Sequence, residues 1–320
     1  MESNEGGQAR KHHYVPQCYL KGFARNRSKK SQLYVVDSAA KRAFVTTPQN
    51  VAAERDFNRI EIDGEDPNLI ESSYAEFESK LAPALVRMDD KGDFQDDADR
   101  GLIFELVALL AVRNPNRREA MRQFKEQTTR RLMELAVENR QRWDSQRHKA
   151  AEAGVEGAAD LTFEEVREFV ERGDYTIAVL TTEHVQQELK SLTTVYNLLH
   201  RRSWVVMRAA PGSGGFVTSD HPVTLCWDDK EMEGGFYPPG FGLKGTSVFC
   251  TLSKSLAIRG QFDGRVGAIE LPVDAVAGIN SRTIFYAGRQ VYAENNRFRF
   301  FDQHLALRYG QDLLSTLLRP

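Results

Sequence analysis

The chain has 320 residues, of which 41% are hydrophobic and 28% charged, with a formal net charge of −2. This composition is that of a folded protein and excludes a chain that is disordered throughout, while the small net charge excludes a global attraction to nucleic acid or to an anionic membrane. Three cysteines, Cys18, Cys226 and Cys250, at no short spacing exclude a disulfide framework and a cysteine-based zinc site, and point to a reducing cytoplasm.

Residues 1–10 are polar and are expected to be disordered and to serve as neither secretory signal nor membrane anchor. From His12 to Phe23 the text reads HHYVPQCYLKGF, where Pro16 favours an extended entry followed by a helical turn. Residues 32–37 and 42–46 are rich in β-branched and aromatic side chains and predict a hairpin, with a third strand over Phe57–Ile62. Asp66 and Pro67 then open a helix whose Ile70, Tyr74, Phe77, Leu81, Leu85 and Met88 share one face. Leu102 to Val112 is the densest apolar run, but it carries Glu105 and is far shorter than the ~20 residues of a membrane span, so it predicts a buried helix.

A break near Asn114 and Pro115 leads into a long charged helical stretch that ends at about Gly154, where Gly154 and Gly157 mark a loop. Two more helices are expected, over Phe163–Arg172 with a capping box of Thr162 and Glu165, and over Glu183–Arg201. The last third turns to short strand-like runs punctuated by glycine and proline, with helices over Val273–Tyr286 and Gln303–Leu318. The order predicts an α+β fold. A mixed or antiparallel sheet is built from the N-terminal hairpin and the C-terminal strands, and residues 11–320 form a single domain with a helical insertion over about 66–201.

His13, Tyr14, Val15, Pro16, Gln17, Leu20 and Phe23 resemble the opening signature of the domain-of-unknown-function 4238 family of bacterial proteins. The resemblance extends to FVTSDHPV around Asp220, to Asn280 and Tyr286, and to Glu54, Asp56, Phe57, Glu71, Glu76 and the RNPNR turn from Arg113 to Arg117. Two positions depart from it: His221 stands where the family has Asn, and Lys254 where a Pro is usual. The family carries no assigned activity, so the resemblance implies fold and boundaries rather than chemistry.

Among the candidate chemical groups, His12 and His13 are adjacent in an extended segment and face opposite ways, and His13 is the one inside the motif. The catalytic set expected is His13, Gln17, Asp220 and His221, with His13 as base or ligand; the bland alternative is a core histidine and a turn-forming aspartate. His13, Asp220 and Glu54 would be the ligands of a divalent metal, the one cofactor this donor set suggests. Ser219 beside His221 lacks the nucleophile-elbow sequence that a serine hydrolase needs.

Residues 113–149 hold eleven Lys or Arg against five Asp or Glu, and residues 61–105 hold four against fourteen. Arg117, Arg118, Arg122 and Lys125 could therefore track the phosphates of a nucleic acid or nucleotide, or else belong to a solvated, salt-bridged helix. The GSGG run at Gly212–Gly215 precedes a strand, so no helix-terminus phosphate cradle is expected there. Two functions stay open: a metal-assisted or general-base hydrolase of the nuclease or phosphodiesterase kind, and a non-catalytic binding or regulatory protein of a host-defence or mobile-element system.

Overall fold

The computed structural model describes residues 10–28, 30–155, 161–232 and 234–317. The fold is α+β, and the chain divides into two compact units, residues 1–114 with 185–320 and residues 115–184. The disorder expected for residues 1–9, the loop position Gly157 and the helix end Leu318 lie outside the described residues.

The first unit opens with β1 (Lys11–His13), α1 (Gln17–Leu20), the hairpin of β2 (Leu33–Asp37) and β3 (Arg42–Thr46), and β4 (Ala53–Arg55). It continues with α2 (Leu69–Lys91) and α3 (Asp97–Val112). The second unit holds α4 (Pro115–Ala136), α5 (Arg140–Glu152) and α6 (Phe163–Arg172), and the division falls within α7 (Thr181–His200). The first unit then resumes with β5 (Ser203–Ala209), β6 (Thr218–Ser219), β7 (Val223–Trp227), β8 (Thr246–Thr251), β9 (Leu256–Gln261) and β10 (Gly267–Leu271). It closes with α8 (Val273–Tyr286), β11 (Gln290–Ala293), β12 (Arg299–Phe301), β13 (Leu307–Tyr309) and α9 (Leu313–Leu317).

One sheet has the order β10-β5-β9-β8-β7, antiparallel except for the parallel β10–β5 pair. The N-terminal hairpin joins a second sheet of order β3-β2-β11-β6, so the two ends of the sequence are hydrogen-bonded to one another. A shared core gathers Tyr19, Leu20 and Phe23 after the proline turn, Leu81, Leu85 and Met88 of α2, half of α3, and Val206, Val248 and Ile258 of the large sheet. Of the helical stretch expected over 66–201, α2 and α3 thus share the sheets' core, because each has an apolar face or an apolar circumference to bury.

Two expected elements are replaced. Instead of a strand over Phe57–Ile62, the short β4 pairs with β1, and the chain turns at Asp56, whose φ is 56°. Instead of a helix over Gln303–Leu318, β12 and β13 form a hairpin before the five-residue α9. The Asp302 carboxylate accepts the amides of His304 and Ala306, and Leu305 takes a φ of 59°, so a turn with its own capping group wins over helical periodicity. Leu305 and Leu307, read as part of an apolar face, are exposed.

Candidate functional site

The two histidines of β1 separate as adjacent residues of a strand should. His12 is fully buried, and its Nδ1 accepts the amide of Asn58 at 2.9 Å. His13 is half-buried, with Nε2 3.3 Å from the carbonyl oxygen of Gln49 and Nδ1 3.4 Å from the carboxamide nitrogen of Gln17. A carbonyl only accepts, so Nε2 carries the proton and Nδ1 the lone pair; both contacts are long. Burial, helped by the charges of Lys11 and Arg113, pushes His13 below the ordinary histidine value.

Helix α2 presents Glu71, Tyr74 and Glu78 at helical spacing, on the stripe that continues into Leu81 and Leu85. Glu71 accepts from the Asn58 carboxamide at 2.8 Å, and Glu78 accepts the Cys18 amide at 3.3 Å. Burial raises the Glu78 carboxyl above the ordinary glutamate value, opposed by the Cys18 amide and the charge of Arg113.

Arg113 ends α3, where the following Asn114 and Pro115 break the helix. It is 2% exposed, and its guanidinium lies 4.0 Å from the centre of the Tyr74 ring. Its Nε and Nη1 are buried and find no acceptor among the described residues. A buried cation with unmade hydrogen bonds costs several kcal/mol unless something satisfies it. Its charge acts on both His13 and Glu78, so these side chains form one electrostatic cluster.

Asp220 lies beside this cluster but not in it. Its backbone carbonyl accepts from the Asn114 carboxamide at 2.8 Å, which ties the end of α3 to the Ser-Asp-His-Pro turn. Its carboxylate accepts three backbone amides, from Gly288 at 2.8 Å, Arg289 at 2.7 Å and Gln290 at 3.1 Å. Burial nevertheless raises this carboxyl, against those three donors. Asp220, expected as a ligand or orienter, thus braces the turn before β11 with its carboxylate. Ser219 is fully buried and its hydroxyl accepts the His221 amide at 3.1 Å, an internal turn bond. Half-buried His221 follows in the turn.

Tyr14 is buried and hydrogen-bonded to Tyr292, which begins a chain of partners. The Tyr292 hydroxyl donates to Gln290 at 2.8 Å, and the Gln290 carboxamide donates to Asp37 at 2.6 Å. Burial, which would raise Asp37, is outweighed by Arg289, the Ala40 amide and Gln290, so that its carboxyl stays below the usual value. Tyr19 donates to the carbonyl of Thr251 at 2.6 Å and lies 2.7 Å from the hydroxyl of Thr218, joining α1 to β6 and β8.

Glu54 is exposed on β4 opposite His12. Among the described residues no three His, Cys, Asp or Glu side chains converge as metal ligands, so the set of His13, Asp220 and Glu54 is not assembled. The physical reason is that Asp220 spends both oxygens on amides while Glu54 and His13 sit at different register positions of the β1–β4 ladder.

A sequence profile described as "Protein of unknown function (DUF4238)" matches residues 11–297. The chain belongs to that family. In this DUF4238 protein the match runs from β1 through β11 and takes in every residue of the His13–Arg113 cluster. No curated protein and no solved structure matches it.

The second unit carries the basic helix of this DUF4238 chain. Arg122 bridges Glu119 at 2.7 Å and Glu126 at 2.8 Å, and Lys125 bridges Glu183 at 2.5 Å. Arg122 and Gln123 draw the exposed Glu119 carboxyl down to about 2. Arg122 and Lys125, expected to face phosphates, are committed to carboxylates, which is the salt-bridged alternative; Arg117 and Arg118 stand on the first turn of the same helix. Among the described residues no helix is long and apolar enough to cross a membrane.

Glu78 and Arg113 were not among the residues singled out for chemistry. A signal existed for both: Glu78 falls four residues after Tyr74 and three before Leu81, a charge on a face otherwise destined for the core, and Arg113 directly follows the longest apolar run.

Proposed function

We propose that this protein is a phosphodiester hydrolase working by general acid–base chemistry, with a nucleic acid or nucleotide as substrate. The observation that carries the reading is the buried Arg113 guanidinium with two uncommitted donors, stacked on Tyr74 beside the motif histidine. A phosphate oxygen supplies the missing acceptor, and a guanidinium at a dry site stabilises the charge that grows in the transition state. His13, held below the ordinary histidine value, is neutral at pH 7 and takes the proton of an attacking water at Nδ1. The water oxygen bonds to phosphorus as the ester P–O bond breaks, and Glu78, raised by burial, gives its proton to the departing alkoxide. Gln17 holds the lone-pair side of the imidazole until substrate displaces its long contact.

The test is turnover of bis(p-nitrophenyl) phosphate and of a single-stranded oligonucleotide in the presence of EDTA. Hydrolysis should fall roughly 100-fold or more in His13→Ala and in Glu78→Gln, with Tm retained. No turnover of either probe by the wild-type chain, or the same rate in both variants, overturns the reading.

A second reading, a non-catalytic binding or regulatory protein, draws support from the internal engagement of Tyr14 and Asp220, both in the sequence motifs. It expects Arg113 to retain an anion without breaking any bond.

A further inference from the structure

A second region of the first unit holds a cavity of about 690 Å³, and none of its lining residues belongs to the His13–Arg113 cluster. Small-molecule sites span roughly 300–1,000 Å³, so the volume suits a nucleotide-sized ligand. Its walls are the turn at Gly212–Gly215, the segment from Glu294 to Arg299, and Tyr309 with Gln311.

The charge of this cavity is uneven. Lys254 bridges Glu294 at 2.6 Å and donates to the Arg25 carbonyl at 3.2 Å, so those two charges cancel. Arg297 and Arg299 also line the cavity, and among the described residues neither guanidinium makes an ion pair or a hydrogen bond. The Arg299 guanidinium lies 5.6 Å from the centre of the Tyr309 ring, and Tyr309 is 47% exposed. Two guanidinium groups and an accessible ring thus border one hollow with no acid left to neutralise them.

The walls are held in place without a ligand. Gly214 has a φ of 84°, and a Cβ there would sit 2.3 Å from the Arg297 carbonyl oxygen; at Gly215, φ 80°, it would sit 2.7 Å from that of Lys254. The turn therefore lies directly against both neighbouring segments, which only glycine permits. The buried Asn280 carboxamide donates to the carbonyls of Gly215 at 3.0 Å and Arg299 at 2.9 Å, fixing the turn and the arginine strand to the same helix. A preformed wall loses little entropy on binding.

We propose that this cavity binds a nucleotide-sized phosphate ester, with Arg297 and Arg299 clamping the phosphate and the Tyr309 ring receiving the heterocycle. Guanidinium forks match phosphate oxygens two at a time, and stacking on a ring tolerates any base. The positive charge comes from side chains, not from a helix terminus, since the glycine turn leads into a strand.

The test is calorimetric titration of the full chain with AMP, inorganic phosphate and adenosine at low and moderate salt. AMP should bind, more weakly as salt rises; phosphate should compete with it at lower affinity, and adenosine alone should show no binding. Arg297→Gln and Arg299→Gln should each weaken AMP roughly tenfold or more. Arg297 is exposed and has no internal side-chain partner, so its variant folds and is decisive even if the other does not. Absence of AMP binding at millimolar concentration, or unchanged affinity in Arg297→Gln, overturns the site. Phosphate binding as tightly as AMP overturns the role of Tyr309 and the nucleotide class.

Discussion

In the proposed mechanism His13 must be neutral to act as a base and Glu78 protonated to act as an acid, and burial lowers the first and raises the second. The folded His13 value lies below 6.5, so its neutral form is complete above that pH and is lost as pH falls through the depressed value. The folded Glu78 value lies above 4.5, so its proton is fully present below that pH and is lost as pH rises through the raised value. Turnover should fall at low pH as His13 is protonated and at high pH as Glu78 loses its proton. Glu78→Gln should flatten the alkaline limb of whatever activity survives; an unchanged profile removes Glu78 from the acid role. The opposite facing of His12 and His13 was legible because adjacent residues of an extended segment alternate sides. Glu78 was not, because its meaning depends on Cys18 and Arg113, 60 and 35 residues away, being folded against it.

Elements whose signals are local came out as the sequence predicts: the β2–β3 hairpin, the α6 capping box of Thr162 and Glu165, and α8 over Val273–Tyr286. Those whose competing forms differ by a single turn did not. The leucines near 305–317 fit a helical period equally well, and the carboxylate of Asp302 decided for a hairpin. Asn280 shows how one side chain can join elements. It is fully buried on α8, accepts the Val217 amide at 2.9 Å, and donates toward β12 and the glycine turn. Asn280→Asp keeps the shape but removes both donors and sets a carboxylate against two carbonyls, so stability should fall by about 2–4 kcal/mol. Urea denaturation with an unchanged midpoint would show that these bonds contribute nothing.

At the scale of the whole molecule, the two units differ in how much they bury. Helices α4 and α5 have no fully buried residue and are held by surface ion pairs, each worth little in water, whereas β5, β8 and β9 lie in the main core. Amide hydrogens of α4 and α5 should therefore exchange ~100-fold or more faster than those of the large sheet, by opening that leaves the rest of the chain folded. Equal protection across both units would contradict this. The charge contrast between residues 61–105 and 113–149 was visible in the sequence; that Arg122 and Lys125 spend their charge on Glu119, Glu126 and Glu183 was not.

The sequence by itself determined the α+β class, the order of its main elements and the DUF4238 membership, since periodicity, turn residues and a contiguous motif are properties of neighbouring residues. Tertiary structure alone decided which polar groups were left with unmet demands. Asp220 and Arg113 are both charged residues beside a turn, yet folding surrounds the first with three amides and leaves the second with two donors unanswered. Burial and hydrogen-bond partners are long-range quantities, and they separate a charge whose hydrogen bonds are met from one whose hydrogen bonds are not.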